Sequence, residues 1–258
     1  MCHELRQCPR CDLVFTVEPP DQATLSRAYH SADFDSAQEA DDAAMAYYRA
    51  LRPYLSELPD KTTALEIGAG TGGFLELLKN DGFEIVIGVE PSTSAIAAAP
   101  PHRQPWLREA MFDVADFAPE SIDLICCFMT LEHVRDPLAT VAGAASLLRP
   151  NGTIALVTHD YRSVINRLLG RRSPIIDIEH MQLFSPKSLK ALLDRAGFET
   201  LSITSYSNRY ALRYWLRLFP LSDSLKRSLL VGLILAGVQD VKFSANVGNM
   251  LAVARRRA

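Results

Sequence analysis

A short apolar stretch runs directly into a cluster of glycines at residues 65–74, and this segment constrains the fold more than any other. The order Leu-Glu-Ile-Gly-Ala-Gly-Thr-Gly-Gly-Phe predicts a buried strand, a tight turn and the start of a helix. Glycine lets the main chain turn tightly and approach a ligand closely. The free N–H groups of the following helix can bind a carboxylate or a phosphate. The segment therefore predicts a ligand-binding strand, turn and helix.

Strand-like and helix-like segments alternate through the rest of the chain. Strands are predicted at residues 64–67, 85–89, 106–107, 122–128, 153–157, 198–206 and 250–254. Helices are predicted at residues 41–58, 74–80, 137–148 and from Ser185, as the cap, to Gly197. Such alternation is typical of an α/β fold with a mostly parallel sheet flanked by helices on both faces.

The chain divides into a small N-terminal part and one main domain. Residues 1–40 contain several prolines and are predicted to form a hairpin and a linker. Residues 41–258 form the main domain. Within it, the apolar residues of segment 160–185 do not recur at helix or strand spacing, so this segment is interpreted as a loop or lid. Residues 207–245 are interpreted as a helical insert.

Composition narrows the class of protein further. Hydrophobic residues make up 48% of the chain, charged residues 22%, and the net charge is -3, as in an ordinary globular protein. Basic residues are scattered, so no nucleic-acid partner is expected, and the run at residues 255–257 is interpreted as a solvated tail. The first residues lack a secretory signal, which favours a cytoplasmic location.

The longest apolar segment, residues 229–236, is too short to cross a bilayer, which needs about 20 residues. Residues 228–238, flanked by Lys226, Arg227 and Lys242, can be interpreted as a peripheral membrane contact. A helix packed on the core or on a second subunit is the favoured alternative. We expect a monomer or a homodimer.

The ligand of the glycine turn follows from the charges around it. Gly68, Gly70 and Gly73 satisfy the G-x-G-x-x-G pattern of dinucleotide sites. Glu90, about 20 residues further on, can accept hydrogen bonds from a ribose in a dinucleotide or another nucleoside. Glu66 discriminates between a dinucleotide and S-adenosylmethionine. Its carboxylate would repel the pyrophosphate of the first and attract the ammonium and sulfonium of the second.

Five segments in order resemble the class I S-adenosylmethionine-dependent methyltransferases. They are residues 65–74, 88–92 (Gly-Val-Glu-Pro-Ser), 130–137 (Thr-Leu-Glu-His-Val-Arg-Asp-Pro), 148–152 (Leu-Arg-Pro-Asn-Gly) and 180–185 (His-Met-Gln-Leu-Phe-Ser). The resemblance spans residues 61–206. It implies a Rossmann-like fold with a seven-stranded, mostly parallel sheet, and methyl transfer from S-adenosylmethionine as the activity.

The resemblance also implies which residues bind the methyl donor. They are Glu66, Gly68, Ala69, Gly70, Gly72, Glu90, Pro91, Met111, Phe112, Thr130 and Leu131. The glycines would line the methionine part, Glu90 would hold the ribose, and Thr130 with Leu131 would close the pocket beside the sulfonium. Met111 and Phe112 fall where the family contacts adenine, with Asp113 as the only acidic residue nearby. The alternative is that these glycines and apolar residues pack the protein core and contact no ligand.

Three histidines are candidate general bases. His133 and His159 follow predicted strands at the sheet edge where α/β enzymes bind ligands, and His180 lies beyond the predicted lid. Each can equally be structural, and an acceptor that is already nucleophilic needs no base.

The N-terminal segment carries a possible zinc site. Cys8 and Cys11 have the spacing of one zinc knuckle, and Cys2 with His3 would complete four ligands. The segment resembles an N-terminal extension of methyltransferases associated with sugar or polysaccharide modification. A metal-free hairpin is the alternative.

The sequence therefore predicts a methyltransferase acting on a small-molecule acceptor, with a sugar or glycolipid intermediate as one interpretation. A non-catalytic S-adenosylmethionine-binding protein is an alternative that no residue excludes. A NAD-dependent oxidoreductase is disfavoured by Glu66 and by the lack of an identifiable hydride-transfer base.

Overall fold

The computed structural model describes residues 4–31, 37–219 and 221–257. The strands are β1 (Leu5–Gln7), β2 (Val14–Thr16), β3 (Thr63–Ile67), β4 (Ile85–Glu90), β5 (Leu107–Glu109), β6 (Ile122–Phe128), β7 (Leu148–His159), β8 (Gln182–Leu183), β9 (Phe198–Ala211) and β10 (Lys242–Arg256). The α-helices are α1 (Gln22–His30), α2 (Ala37–Leu55), α3 (Gly73–Asn80), α4 (Thr93–Ala98), α5 (Pro137–Leu147), α6 (Val164–Leu169), α7 (Pro186–Arg195), α8 (Leu212–Leu218) and α9 (Asp223–Leu235).

A seven-stranded sheet in the order β5-β4-β3-β6-β7-β10-β9 forms the centre of the molecule. The strands from β5 to β7 pair in parallel, and β10 is antiparallel to both of its neighbours. This sheet confirms the predicted seven-stranded, mostly parallel α/β fold. Its parallel strands place their carboxyl ends along one edge, where open α/β sheets bind their ligands.

Both faces of the sheet are buried by apolar side chains. Every residue of β6 is buried, and from Leu124 to Phe128 the side chains alternate between two apolar clusters on opposite faces. Leu51 and Leu55 of α2 pack with Phe74 and Leu78 of α3 on one of these faces. Burial on both faces explains why residues 124–128 form a continuous apolar run rather than an alternating pattern.

The helix predicted after the lid has the expected ends. Ser185 caps α7 by accepting a hydrogen bond from Ser188 N, and Pro186 occupies the first turn. Gly197 follows the helix with a positive φ of 89°, a conformation that glycine adopts without strain.

The N-terminal hairpin packs on the lid. Strand β2 pairs with β1 and with β8, so residues near 5–16 and 182–183 share a three-stranded sheet. Asp12 is buried there, and its carboxylate accepts hydrogen bonds from Ser185 Oγ (3.0 Å) and Arg162 (2.6 Å). The predicted linker differs from the structure because it contains α1, which begins after the side-chain cap Asp21.

The predicted lid contains α6, a short 3-10 turn at Gly170–Arg172 and β8. The C-terminal insert also differs from expectation. Strands β9 and β10 continue beyond residues 206 and 250 as a long antiparallel ribbon, so only α8 and α9 remain as an inserted pair. No residue of α9 is buried, so of the two expected packings the one on the core is wrong, and the one on a second subunit stays a prediction. Among the described residues, no helix is both long and apolar enough to cross a membrane.

Candidate active site

A cavity of about 610 Å³ opens at the carboxyl edge of the parallel strands. Its wall combines the glycine turn after β3, the end of β4, the segment after β5, the turn after β6 and one face of α1. Its lining includes Gln22, Leu25, Tyr29, Gly68, Gly70, Glu90, Pro91, Met111, Phe112, Met129, Thr130 and His133. We call it the donor cavity.

The glycine turn requires glycine for two different reasons. Gly68 has a φ of +76°, and a Cβ built on it would lie 2.2 Å from Thr130 Oγ1, closer than any real contact. Gly70 has a φ of +53°, but a Cβ there would meet no atom within 4 Å. Gly68 therefore lets two loops pack together, whereas Gly70 leaves open space beside the main chain that a ligand can fill.

Both carboxylate oxygens of Glu90 are held by main-chain donors. Gly70 N donates to Oε2 at 2.7 Å, and Ser92 N donates to Oε1 at 2.8 Å. Burial raises the pKa of Glu90, although these two hydrogen bonds act in the opposite direction. The carboxyl group is thus fixed at the cavity wall, with lone pairs left to accept hydrogen bonds from a ligand.

Glu66 lies next to this wall without lining it. The residue is 4% exposed, and its Oε2 has no hydrogen-bond partner among the described residues. Burial, and then the negative charge of Glu90, raise the pKa of Glu66 well above its ordinary value. A cation bound nearby would favour the ionised form, so the site is electrostatically suited to a positively charged ligand.

The other predicted donor-binding residues divide into two sets. Pro91, Met111, Phe112 and Thr130 line the donor cavity. Ala69, Gly72 and Leu131 do not line it: Ala69 and Leu131 are buried in the apolar clusters, and Gly72 precedes α3 with Arg103 and Leu107 beside it.

Helix α1 supplies a wall that the sequence analysis missed. Gln22, Leu25 and Tyr29 line the donor cavity, and Tyr29 donates a hydrogen bond to His133 O at 2.9 Å. The available signal was the cap Asp21, followed by Leu25 and Tyr29 four residues apart on one helix face.

The three candidate histidines lie close together, but only one lines the donor cavity. His133 lines it, with its ring centroid 4.6 Å from that of His180. The ring centroid of His180 lies 5.7 Å from that of His159. Burial, with the nearby His180, lowers the pKa of His133, whereas Asp177 outweighs burial and raises the pKa of His180.

A buried carboxylate joins this cluster. Glu132 is 1% exposed, and its Oε1 accepts a hydrogen bond from His159 N at 2.8 Å. The same oxygen lies 3.4 Å from His159 Nδ1. Burial alone would raise the pKa of Glu132, but the hydrogen bonds and charge of His159, together with the charge of His133, lower it.

A second cavity of about 460 Å³ adjoins the first, and we call it the outer cavity. Met129 lines both cavities and has a φ of +49°, which is uncommon for a residue with a side chain. The outer cavity is otherwise lined by Glu39, Ala40, Ala43, Tyr47, His159, Asn208, Tyr210, Tyr214, Arg217, Leu218, Val247 and Asn249.

The structure gives no support for the zinc site. Within residues 4–31, 37–219 and 221–257, no group of three or more histidine, cysteine or acidic side chains is arranged to hold a metal. Cys8 and Cys11 have free thiols, and hydrogen bonds from the main chain of Cys11 and Arg10 lower the pKa of Cys8. The other two ligands in the hypothesis, Cys2 and His3, lie outside the described residues.

Comparison with known proteins assigns the family. Residues 38–203 match a family model described as a methyltransferase domain, which is more than half of the chain. The chain belongs to the class I S-adenosylmethionine-dependent methyltransferases.

Curated relatives of this methyltransferase are biosynthetic enzymes. A ubiquinone biosynthesis O-methyltransferase of Photobacterium profundum is 26% identical over 165 residues, 59% of this chain and 70% of the relative. The corresponding protein of Idiomarina loihiensis is 29% identical over 153 residues, 54% of this chain and 62% of its own length. The chain thus spans about two thirds of the length of these relatives.

Solved structures of similar proteins share the fold. A methyltransferase from Archaeoglobus fulgidus is 18% identical with a TM-score of 0.55, and the match covers 92% of this chain and 100% of the other. The [4+2]-cyclase SpnF is 18% identical with a TM-score of 0.56, and the match covers 89% of this chain and 87% of the cyclase. Because a cyclase shares the architecture, the fold alone does not fix the reaction of this methyltransferase.

Proposed function

We propose that this methyltransferase binds S-adenosylmethionine in the donor cavity and transfers its methyl group to a hydroxyl of a small-molecule acceptor. The observation that carries the proposal is the fixed carboxyl of Glu90 beside the open main chain at Gly70. A carboxylate held this way can accept hydrogen bonds from a ribose, and the space at Gly70 leaves room for the donor's amino-acid part.

The residues present fit a cationic nucleoside. Glu66 keeps one buried oxygen without a partner among the described residues, and its carboxylate would attract the donor's positive charges. Met111 and Phe112 offer apolar contact for the adenine, and Thr130 closes the wall opposite Gly68. When bound, the donor supplies an electrophilic methyl group, and the protein's task is to align the acceptor with it and exclude water.

A small-molecule acceptor is supported by several features. The relatives with curated names are O-methyltransferases of a small-molecule pathway, although their identity to this chain is low. Net charge is -3, and basic residues form no dense run in the main domain before the C-terminal tail. A sugar or glycolipid intermediate stays one candidate acceptor, suggested by the N-terminal cysteine segment.

The test is methyl transfer with a labelled donor. Purified protein is incubated with methyl-tritiated S-adenosylmethionine and, separately, with hydroxylated aromatic compounds, glycosides, total RNA and unfolded protein. Label in a small-molecule product, lost in Glu90→Ala, supports the proposal. Label confined to RNA or protein would contradict the acceptor class.

A further inference from the structure

We propose that the outer cavity is the acceptor site, that it takes a hydroxylated ring, and that His159, positioned by Glu132, removes the proton from the reacting hydroxyl. This inference rests on the proposed function, because it assigns the second substrate of the same reaction.

Unpartnered polar atoms mark the outer cavity as a binding site. Asn208 is 4% exposed and Asn249 is 2% exposed, yet the Oδ1 atom of each lacks a hydrogen-bond partner in the part of the chain that the structure describes. Both residues line the cavity. A buried polar atom without a partner costs free energy, so these two amides are suited to hydrogen bonds from a ligand that carries hydroxyl groups.

Aromatic side chains form the other walls. Tyr47, Tyr210 and Tyr214 line the outer cavity, and the rings of Tyr210 and Tyr214 lie 4.6 Å apart. Tyr47 packs against Phe128 with ring centroids 4.7 Å apart, which holds its ring in place. Rigid aromatic walls next to amide groups favour a ring that offers a flat face to the tyrosines and hydroxyls to the asparagines.

His159 lies where these walls meet the end of the sheet. It is the last residue of β7, and its Cα pairs with that of Asn249 on β10. Glu132 Oε1 holds the main chain of His159 at 2.8 Å and lies 3.4 Å from Nδ1. A carboxylate on the Nδ1 side favours a proton on that nitrogen, which leaves Nε2 as the atom that can accept a proton from the ligand.

The position of Met129 connects the two substrates. It lines both cavities from a left-handed backbone conformation, so the acceptor and donor sites meet at one residue. In the proposed step the hydroxyl proton passes to Nε2 of His159 while the oxygen bonds to the methyl carbon. The carbon–sulfur bond breaks, its electron pair stays on sulfur, and the imidazolium later releases the proton to water.

Binding is tested first, on protein saturated with S-adenosylhomocysteine. Catechol and methyl β-D-glucopyranoside serve as the two ring probes, and the imidazole resonances are followed by NMR, with that of His159 assigned by its loss in His159→Gln. At least one probe should shift the His159 resonance and leave that of the exposed His102 unchanged. Catechol alone would indicate an aromatic diol, and the glycoside alone a sugar. Asn249→Ala should weaken probe binding about tenfold while the affinity for S-adenosylhomocysteine changes less than about twofold.

The positioning role of Glu132 has its own readout. Glu132→Gln should reduce the share of the His159 tautomer that carries its proton on Nδ1, because it removes the negative charge beside that nitrogen. The ring ¹⁵N chemical shifts report the tautomer. Other titratable or charged groups around His159 are His180, whose ring is nearly perpendicular to it, and the groups that line the outer cavity: Glu39, Tyr47, Tyr210, Tyr214 and Arg217. A purely structural Glu132 would leave the ring ¹⁵N shifts of His159 unchanged once folding is verified.

Turnover with the probe that binds completes the test. His159→Gln should reduce kcat about 10²- to 10⁴-fold with little change in KM, and the matched control His102→Gln should keep the wild-type rate. If the wild-type protein fails to bind S-adenosylhomocysteine, the proposed function fails. If it binds but neither probe shifts His159, or if His159→Gln retains full kcat, the acceptor assignment is overturned while the donor site stands.

Discussion

Replacing Gly68 with alanine should disrupt the junction between the glycine turn and the turn after β6. The added Cβ would lie 2.2 Å from Thr130 Oγ1 and 2.8 Å from its Cγ2, so the threonine or the turn must move. Overpacking of this kind costs about 1–3 kcal/mol. The left-handed backbone at a φ of +76° adds about 1–2 kcal/mol for a residue with a Cβ. We therefore expect Gly68→Ala to lower the free energy of unfolding by about 2–5 kcal/mol.

Gly70→Ala is the matched control, because it carries the same change without the contact. Its backbone is also left-handed, with a φ of +53°, but a Cβ there meets no atom within 4 Å. The expected loss is about 1–2 kcal/mol from backbone strain alone. Urea denaturation of the ligand-free variants, followed by circular dichroism, gives both values.

A double-mutant cycle isolates the contact itself. Thr130→Ala removes Oγ1 and Cγ2 and leaves only Cβ, which lies 3.0 Å from the position that an alanine Cβ would take at residue 68. By itself this change also removes the hydrogen bond from Oγ1 to Phe128 O. Combined with Gly68→Ala it should restore about 1–2 kcal/mol. Equal losses at Gly68 and Gly70, or no recovery in the double variant, would refute the steric argument.

Two further predictions follow from the charges near the donor cavity. Burial raises the pKa of Glu66, and a bound cationic donor should lower it again, so that binding releases protons. Calorimetry in two buffers of different ionisation enthalpy should show the release, and Glu66→Gln should abolish it. The pKa of Asp177 is about 2, because His180 outweighs the effect of burial, and that of His180 is raised in turn. Asp177→Asn should therefore lower the His180 pKa in an NMR titration. The pair of Asp177 and protonated His180 should make the wild type more stable than Asp177→Asn below the ordinary imidazole pKa. This difference in stability should shrink as the pH rises through the raised pKa of His180. A difference that grows with pH would contradict this sign.

The sheet and the glycine turn could be predicted because their signals are local. The apolar run of β6 and the glycines after β3 each occupy fewer than ten consecutive residues, and the order of the strands along the chain limits the topology. Glu90 was predictable for the same reason, since it ends the strand after the glycine turn.

Other features depend on residues that are distant in sequence. The outer cavity brings Asn208 of β9 and Asn249 of β10 to His159, through a ribbon whose register shifts between Ala245 and Asn249. The sequence of one strand does not specify which residue of the other strand it pairs with, so this shift could not be predicted. Helix α1 was missed since its nine residues follow two prolines, which read as a linker.

The apolar residues of α9 show the limit of a hydrophobic pattern. Leu229, Val231 and Ile234 are of residue types that are usually buried, yet they are 44%, 55% and 52% exposed. The pattern identifies the helix correctly, but it contains no information on which surface covers that helix.

The most direct test of the account is a calorimetric titration of the purified protein with S-adenosylmethionine and S-adenosylhomocysteine, with NAD as the control ligand. We predict that both sulfur compounds bind at one site per chain, that NAD does not bind, and that Glu90→Ala, which removes the carboxyl held by Gly70 and Ser92, loses both interactions while remaining folded. Failure of the folded wild-type protein to bind either sulfur compound, or binding that Glu90→Ala leaves intact, would contradict the assignment of the donor cavity.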